Sequence, residues 1–199
     1  MNKRFNWKKI LLEAGMIVLS ILLALFINEW RSNYNDRLET NKMLSNIIEE
    51  MDSNQVFIDN LISYHTVVLE KIQQAALSDS LESTFLKNEY FEISEVAPKG
   101  IKQGDLHSIA WIVAKEEKIS NRITFKESQM LFSVYDQQFR VLKTIDRIIG
   151  ILSSREIHRK ELLEESIIVL AIELNELIGQ EKDLSYRYAK TLKELKGRW

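Results

Sequence analysis

Residues 10–27 read ILLEAGMIVLSILLALFI, and this apolar run decides the architecture of the chain. The 18 residues of the run, as α-helix, extend about 27 Å, close to the hydrocarbon thickness of a bilayer. Glu13 is the single charged residue in the run. Trp7 and Trp30 flank it roughly 35 Å apart, a spacing that suits one indole ring in each membrane interface. The sequence therefore predicts a transmembrane helix over 10–30, with Trp7 and Trp30 as interface anchors.

The charges on the two sides of the run differ. Before it stand Lys3, Arg4, Lys8 and Lys9 with no acidic residue among them, whereas acidic and basic residues balance at 29–37. Because cationic flanks stay in the cytoplasm, 1–9 is predicted to be cytoplasmic and 31–199 to be an extracytoplasmic domain. A cleaved signal peptide, a buried helix of a soluble protein and an interfacial amphipathic helix are the alternatives.

Small and polar residues share one side of the run. Ser20, Ala24 and Asn28 recur every four residues, and Glu13 lies seven residues before Ser20. Such faces support helix association in lipid, so these four residues form a predicted contact face for a second copy or a partner membrane helix. Alternatively, Glu13 snorkels to the inner interface or pairs with one of the two lysines at 8–9.

The composition of the whole chain favours long helices. Its 199 residues include one proline and six glycines, where average usage would give about ten and fourteen. Leu, Ile, Glu and Lys are abundant, and few breakers interrupt them. The net charge of −2 gives no reason to expect a nucleic acid as partner. The absence of cysteine excludes disulfides, thiolate metal sites and cysteine nucleophiles.

Three long stretches repeat apolar residues at three- and four-residue spacing. The first continues from the membrane segment to about Ala76, with Gln55 and His65 within its stripe and a kink expected near Asn33 and Asn35. The second opens after 124–127, TFKE, a capping box. The third covers about 155–196. Apolar stripes must be buried against one another, so the predicted fold is all-α, with the transmembrane helix continuing into an antiparallel three- to four-helix bundle.

The connection at 78–104 is rich in serine and glycine and contains Pro98. It is expected to be a connector with a helical turn or two, or a short strand around Phe91. A short helix is predicted from Asp105 to about Lys118, burying the apolar residues at 109 and 111–113. Long connections are often functional. The expected ligand or partner region therefore lies here, at Tyr90, Phe91, His107 and Trp111.

No pattern in the chain indicates catalysis. His65 and His107 have no carboxylate or histidine three or four residues away, and His158 has only Glu161. There is no HExxH, no ExxH pair on two helices and no glycine-rich phosphate loop. We therefore expect no catalytic residue, no metal and no cofactor.

Two groups of residues resemble a family of uncharacterised bacterial proteins of similar length, classified as a domain of unknown function. They are Glu13, Ala24-Leu25 and Asn28-Glu29-Trp30, and then Ala110-Trp111, Ala114-Lys115, Thr124-Phe125 and 134–138, VYDQQ. Ser20 departs from the glycine expected there. The resemblance spans almost the whole chain and implies a single-pass protein of the bacterial inner membrane. It implies no activity.

These patterns predict a membrane-anchored helical interaction or scaffold protein that is not an enzyme, with the bilayer and a protein partner or a second copy as its contacts. The alternative is an extracytoplasmic bundle that senses a ligand and signals through a membrane partner.

Overall fold

The computed structural model describes residues 7–78, 80–88, 90–101 and 104–197, and the side chains of 8–10 are outside that description. The predicted cytoplasmic residues Lys3 and Arg4, and the side chains of Lys8 and Lys9, therefore lie outside it. By contacts the chain divides into two compact units, Met1–Met43 and Leu44–Trp199. The fold is predominantly α-helical, as the sequence predicts.

The first helix, α1, spans Trp7–Leu77 and ends one residue beyond the predicted end. In the first unit it continues without interruption through Asn33 and Asn35, where a kink was expected. Every side chain from Leu11 to Glu39 is exposed. Among the described residues, α1 is the helix long and apolar enough to cross a membrane.

The second unit contains the rest of α1 and the remaining elements. These are α2 (Leu81–Phe85), the strands β1 (Leu86–Lys87) and β2 (Tyr90–Phe91), and the helices α3 (Ile109–Glu116), α4 (Phe125–Leu152) and α5 (Leu163–Lys196). Two short 3-10 helices, Ile119–Asn121 and Lys160–Leu162, precede α4 and α5. The strands form an antiparallel pair with Leu86 opposite Phe91, so this segment contains both the helical turn expected there, α2, and the short strand that the sequence left as an alternative.

The long helices of the second unit form a bundle in which α5 runs against its two neighbours. On α1, Asp52 pairs with Lys196 and His65 with Glu181, so rising numbers on α1 meet falling numbers on α5. Ion pairs from 126 to 194 and from 147 to 173 give the same antiparallel order for α4 and α5. Consequently α1 and α4 are parallel, and residues 78–124 must return along the bundle between them.

The apolar stripes meet in one core, to which each long helix contributes fully buried residues, among them Leu44, Ile58, Leu131, Ile148, Leu174 and Leu184. Asn54 occupies the inward position that was predicted for Gln55. His65 is buried, as its place in the stripe indicates.

Two predicted helix starts are wrong. Helix α3 begins at Ile109 after Ser108, not at Asp105, because side chains from α1 and α4 hold both backbone groups of His107 outside a helix. Helix α5 begins at Leu163 rather than Arg155, since the turns at 153–162 reverse the chain after α4.

The burial predicted for α3 is also wrong for three of its four residues. Trp111 is buried, but Ile109, Ile112 and Val113 are exposed. This helix of eight residues lies on the surface of the bundle and turns one face inward.

The capping box of α4 is confirmed. The amide of Glu127 donates to Thr124 Oγ1 (3.2 Å), and the amide of Thr124 donates to Glu127 Oε2 (2.7 Å). Two amide groups at the helix start are thereby satisfied, which fixes where α4 begins.

Candidate protein-binding groove

The segment 92–108 between β2 and α3, called the connector below, is bonded at its end to a polar side chain of α1. Asn54 is almost fully buried and makes two bonds to the backbone of His107. Its Nδ2 donates to the His107 carbonyl (2.7 Å), and its Oδ1 accepts from the His107 amide (2.9 Å). The same carbonyl accepts from Gln138 Nε2 of α4 (3.0 Å), and Gln138 Oε1 accepts from the Tyr188 hydroxyl of α5 (2.6 Å). Three helices therefore determine where the chain enters α3.

Glu50 then orients α3 itself. One carboxylate oxygen accepts from the amide of Ala110 in the first turn of α3 (2.8 Å), and the other accepts from the Tyr135 hydroxyl of α4 (2.7 Å). A carboxylate suits this position because the first amides of a helix have no partners within the helix. Burial, followed by the hydrogen bond to Glu50, raises the pKa of Tyr135, so its hydroxyl stays protonated as a donor.

These bonds bring three aromatic rings together. The Trp111 ring stacks on Tyr135 with centroids 5.1 Å apart and planes 5° from parallel. Phe132 meets Trp111 edge to face at 4.8 Å and 86°. Both geometries are favourable for aromatic pairs. The stack forms the floor of a groove between α3 and α4.

This α3–α4 groove is lined mainly by apolar and aromatic residues and is open to solvent. The groove has a volume of about 360 Å³ and is lined by Ser108, Trp111, Ile112, Lys115, Phe132, Tyr135, Asp136, Gln138, Phe139 and Leu142. The exposed fractions of Ile112, Phe132 and Phe139 are 45, 51 and 64%. Exposed apolar residues that lie together, rather than singly, mark interaction sites.

The charges at the groove leave a positive side. Asp136 is paired with Arg140 (Oδ2 to Nε, 3.0 Å), which offsets its charge. Lys115 Nζ lies 5.6 Å from the centre of the Trp111 ring, a cation–π geometry. Lys143, one turn beyond Phe139, is exposed. An apolar partner with acidic residues at its edges complements this arrangement.

The structure separates the four residues expected to form a ligand or partner region. Trp111 lies in the groove, and His107 has an exposed side chain beside it. Phe91 instead stacks on Phe85 and meets the ring of His158, and Tyr90 is exposed. Phe91 therefore belongs to a cluster of rings with Phe85 and His158, which lies in the turn between α4 and α5.

The predicted membrane contact face lies in the first unit. Glu13, Ser20, Ala24 and Asn28 are all exposed there. Ser20 Oγ donates to the Met16 carbonyl of its own helix (2.8 Å). The expected interface anchors Trp7 and Trp30 are exposed as well.

Sequence reasoning missed the exposed aromatic residues of α4. Phe125, Phe132 and Phe139 recur every seven residues, off the apolar stripe that packs in the core. That spacing places them on one helix face, so an exposed aromatic face could have been predicted from the sequence. Glu50 and Asn54 were not predictable, because their partners are distant in sequence.

The described residues contain no group of three or more histidine, aspartate or glutamate side chains placed to hold a metal ion. Comparison of the chain with family models, with curated proteins and with solved structures gives no match. Its function is therefore inferred from the residues themselves.

Proposed function

We propose that this chain is a single-pass membrane protein whose helical bundle binds a helix of another protein in the α3–α4 groove. In this proposal α1 is the anchor, the N-terminus is cytoplasmic, the bundle is extracytoplasmic and the chain is not an enzyme. The observation that carries the proposal is the exposed aromatic groove on the bundle of a chain with an apolar N-terminal helix.

The apolar surface of α1 supports the anchor. In the described part of this helix the side chains from Leu11 to Ile27 are exposed, and the exposed fractions of the large apolar residues among them are 53–69%. Exposure of this apolar surface to water would be unfavourable, whereas in a bilayer lipid chains surround it. The cationic residues before the run favour a cytoplasmic N-terminus, and the family resemblance favours the bacterial inner membrane.

The shape of the groove supports a helix as the occupant. Two helices form its sides, aromatic and branched aliphatic residues line it, and an amphipathic helix can insert a row of apolar side chains into such a cleft. The partner helix should carry an apolar stripe with Asp or Glu beside it, which would face Lys115 and Lys143.

The binding proposal is tested with the full chain in its native membrane. Partners captured after mild detergent extraction are quantified by mass spectrometry for the wild type, Phe139→Ser and Phe125→Ser. Phe125 is the matched control, because it lies on the same helix and is 85% exposed but does not line the groove. We expect Phe139→Ser to lose the specific partner and Phe125→Ser to retain it. Equal recovery with both variants would refute the groove as the binding site.

The topology is tested separately, using the absence of cysteine from the chain. A single Ser63→Cys substitution introduces a thiol at an exposed position of the bundle. A membrane-impermeant maleimide should label it in intact cells if the bundle is extracytoplasmic. Labelling that appears only after lysis contradicts the orientation.

A second candidate is the ligand-sensing bundle. A larger cleft of about 560 Å³ lies between the end of α4 and the start of α5, where Gly150, Ile151, Leu162 and Val169 form an apolar wall. This volume suits a small apolar molecule. Thermal-shift screening of the full chain, with Val169→Trp to fill the cleft, tests this candidate. If stabilising compounds act equally on Val169→Trp, the cleft is not their site.

A further inference from the structure

A buried polar pair joins three parts of the bundle. His65 of α1 and Glu181 of α5 are both fully buried, and His65 Nδ1 lies 2.8 Å from Glu181 Oε1. On its other side His65 Nε2 lies 3.0 Å from the backbone carbonyl of Ile101 in the connector. Buried ionisable groups are costly and need complete pairing. Within the described part of the chain, however, Glu181 Oε2 has no hydrogen-bond partner.

The geometry fixes how many protons the pair holds. A carbonyl oxygen only accepts, so His65 Nε2 must carry a hydrogen to bond Ile101. One further proton must then lie between Nδ1 and Oε1, either on the imidazole or on the carboxyl group, because two lone pairs would repel at 2.8 Å. Burial raises the pKa of Glu181 against the opposing effect of His65, which favours the neutral form with the proton on Oε1.

We propose that this one shared proton keeps the connector on α1, and that its loss at alkaline pH releases the connector. After its loss, the remaining hydrogen of His65 can serve only one of the two neighbours. If it stays on Nε2, Nδ1 faces a buried carboxylate without a hydrogen between them. If it moves to Nδ1 to satisfy the carboxylate, Nε2 becomes an acceptor facing the Ile101 carbonyl, and the bond to the connector is lost.

Among the residues that the structure describes, the groups around the pair do not supply a replacement proton. On α1, the Tyr64 ring lies beside the His65 ring, with centroids 5.6 Å apart. The Tyr64 hydroxyl accepts a hydrogen bond from the backbone amide of Lys99 in the connector (3.1 Å). The ammonium group of Lys99 lies 6.0 Å from the Tyr64 ring and is exposed. From α4, Gln137 and Thr144 bond to Gln180, the neighbour of Glu181.

The charged neighbours of Glu181 along α5 are directed elsewhere. Lys182 is exposed, and Asp183 pairs with Arg187 (2.8 Å). The electrostatic influences that act on Glu181 besides burial are the hydrogen bond and charge of His65. The position of the shared proton therefore depends on these two side chains together.

The sign of the pH dependence follows from proton counting. In an unfolded chain a glutamate and a histidine have pKa values of about 4.3 and 6.5, so together they hold one proton between these values and none well above 6.5. Above pH 6.5 the folded pair still holds its one shared proton. Stability must therefore fall as the pH rises above about 6.5, because the folded state binds more protons than the unfolded state.

Two measurements on the full chain in nanodiscs test the proposal. Nitrogen-15 labelling of histidine reports the ring protonation of only three residues, and His107 and His158 serve as internal references. His65 should show a hydrogen on Nε2 at about pH 6 and a change at alkaline pH. Hydrogen exchange of 92–110, corrected for intrinsic rates, should show an opening constant that rises above about pH 6.5, by up to about tenfold per pH unit, and levels off once the closed state has also lost the shared proton.

Glu181→Gln is the matched variant. Its amide group donates to Nδ1 at every pH and mimics the protonated carboxyl group, so the connector should stay protected from about pH 6 to pH 10. The proposal is overturned if the wild type shows no alkaline loss of protection, or if Glu181→Gln shows the same loss. It is also overturned if the His65 ring signals do not change over this range, a result that requires no variant to fold.

Discussion

Replacing Asn54 by alanine should destabilise the bundle strongly, although Asn54 is a polar residue in the middle of a long helix. The change removes both bonds to the His107 backbone. The carbonyl of His107 keeps its bond from Gln138, but the amide is left without an acceptor. Loss of one bond costs about 1 kcal/mol, and an orphaned buried group about 1–3 kcal/mol, so the free energy of unfolding should fall by about 2–4 kcal/mol.

Asn60 provides the matched control on the same helix. It is exposed, and its amide group donates to the Val56 carbonyl one turn earlier (2.9 Å). Asn60→Ala should change stability by less than about 0.7 kcal/mol, and in the stabilising direction, because alanine has the higher helix propensity.

The assay is urea unfolding of the full chain in mild detergent, followed by far-ultraviolet circular dichroism. Both variants replace the same residue type on α1, so the difference between them isolates the connector contacts. A loss for Asn54→Ala below about 0.5 kcal/mol, or equal losses for the two variants, would refute the view that Asn54 holds the connector in place.

Four further outcomes are expected. Thr124→Ala should cost about 1 kcal/mol by removing the capping box of α4, measured by urea unfolding. Tyr135→Phe should cost about 2 kcal/mol because a carboxylate loses its donor, whereas Tyr186→Phe, at an exposed tyrosine, should be neutral in the same assay. Lys126→Ala should cost under 1 kcal/mol, since its ion pair is exposed and screened, and added salt should shrink the difference. Leu19→Arg should disfavour membrane insertion by about 3 kcal/mol and reduce the carbonate-resistant fraction.

The outcomes that contradict these expectations differ. A Thr124→Ala variant as stable as the wild type would show that packing alone fixes the start of α4. Equal effects at Tyr135 and Tyr186 would mean that the bond to Glu50 contributes nothing. A Leu19→Arg variant that stays fully in the membrane fraction would argue that the apolar run does not span the bilayer.

The sequence by itself determined the helical elements of this protein. The apolar run at 10–27, the repeat that ends near Ala76 and the capping box at Thr124 are local signals, since each depends on residues within a few turns of one another. Helix propensity, amphipathicity and capping depend on residues close together in sequence, so these features could be predicted without knowing the tertiary contacts.

Only the tertiary structure decided where the polar residues act. The bonds from Asn54 to His107, from Glu50 to Tyr135 and from His65 to Glu181 join residues 53, 85 and 116 positions apart. No periodicity records such a pairing, because it arises when the parallel α1 and α4 are placed against α5 and the connector is laid between them. For the same reason the start of α3 and the α3–α4 groove emerged only from the packed bundle.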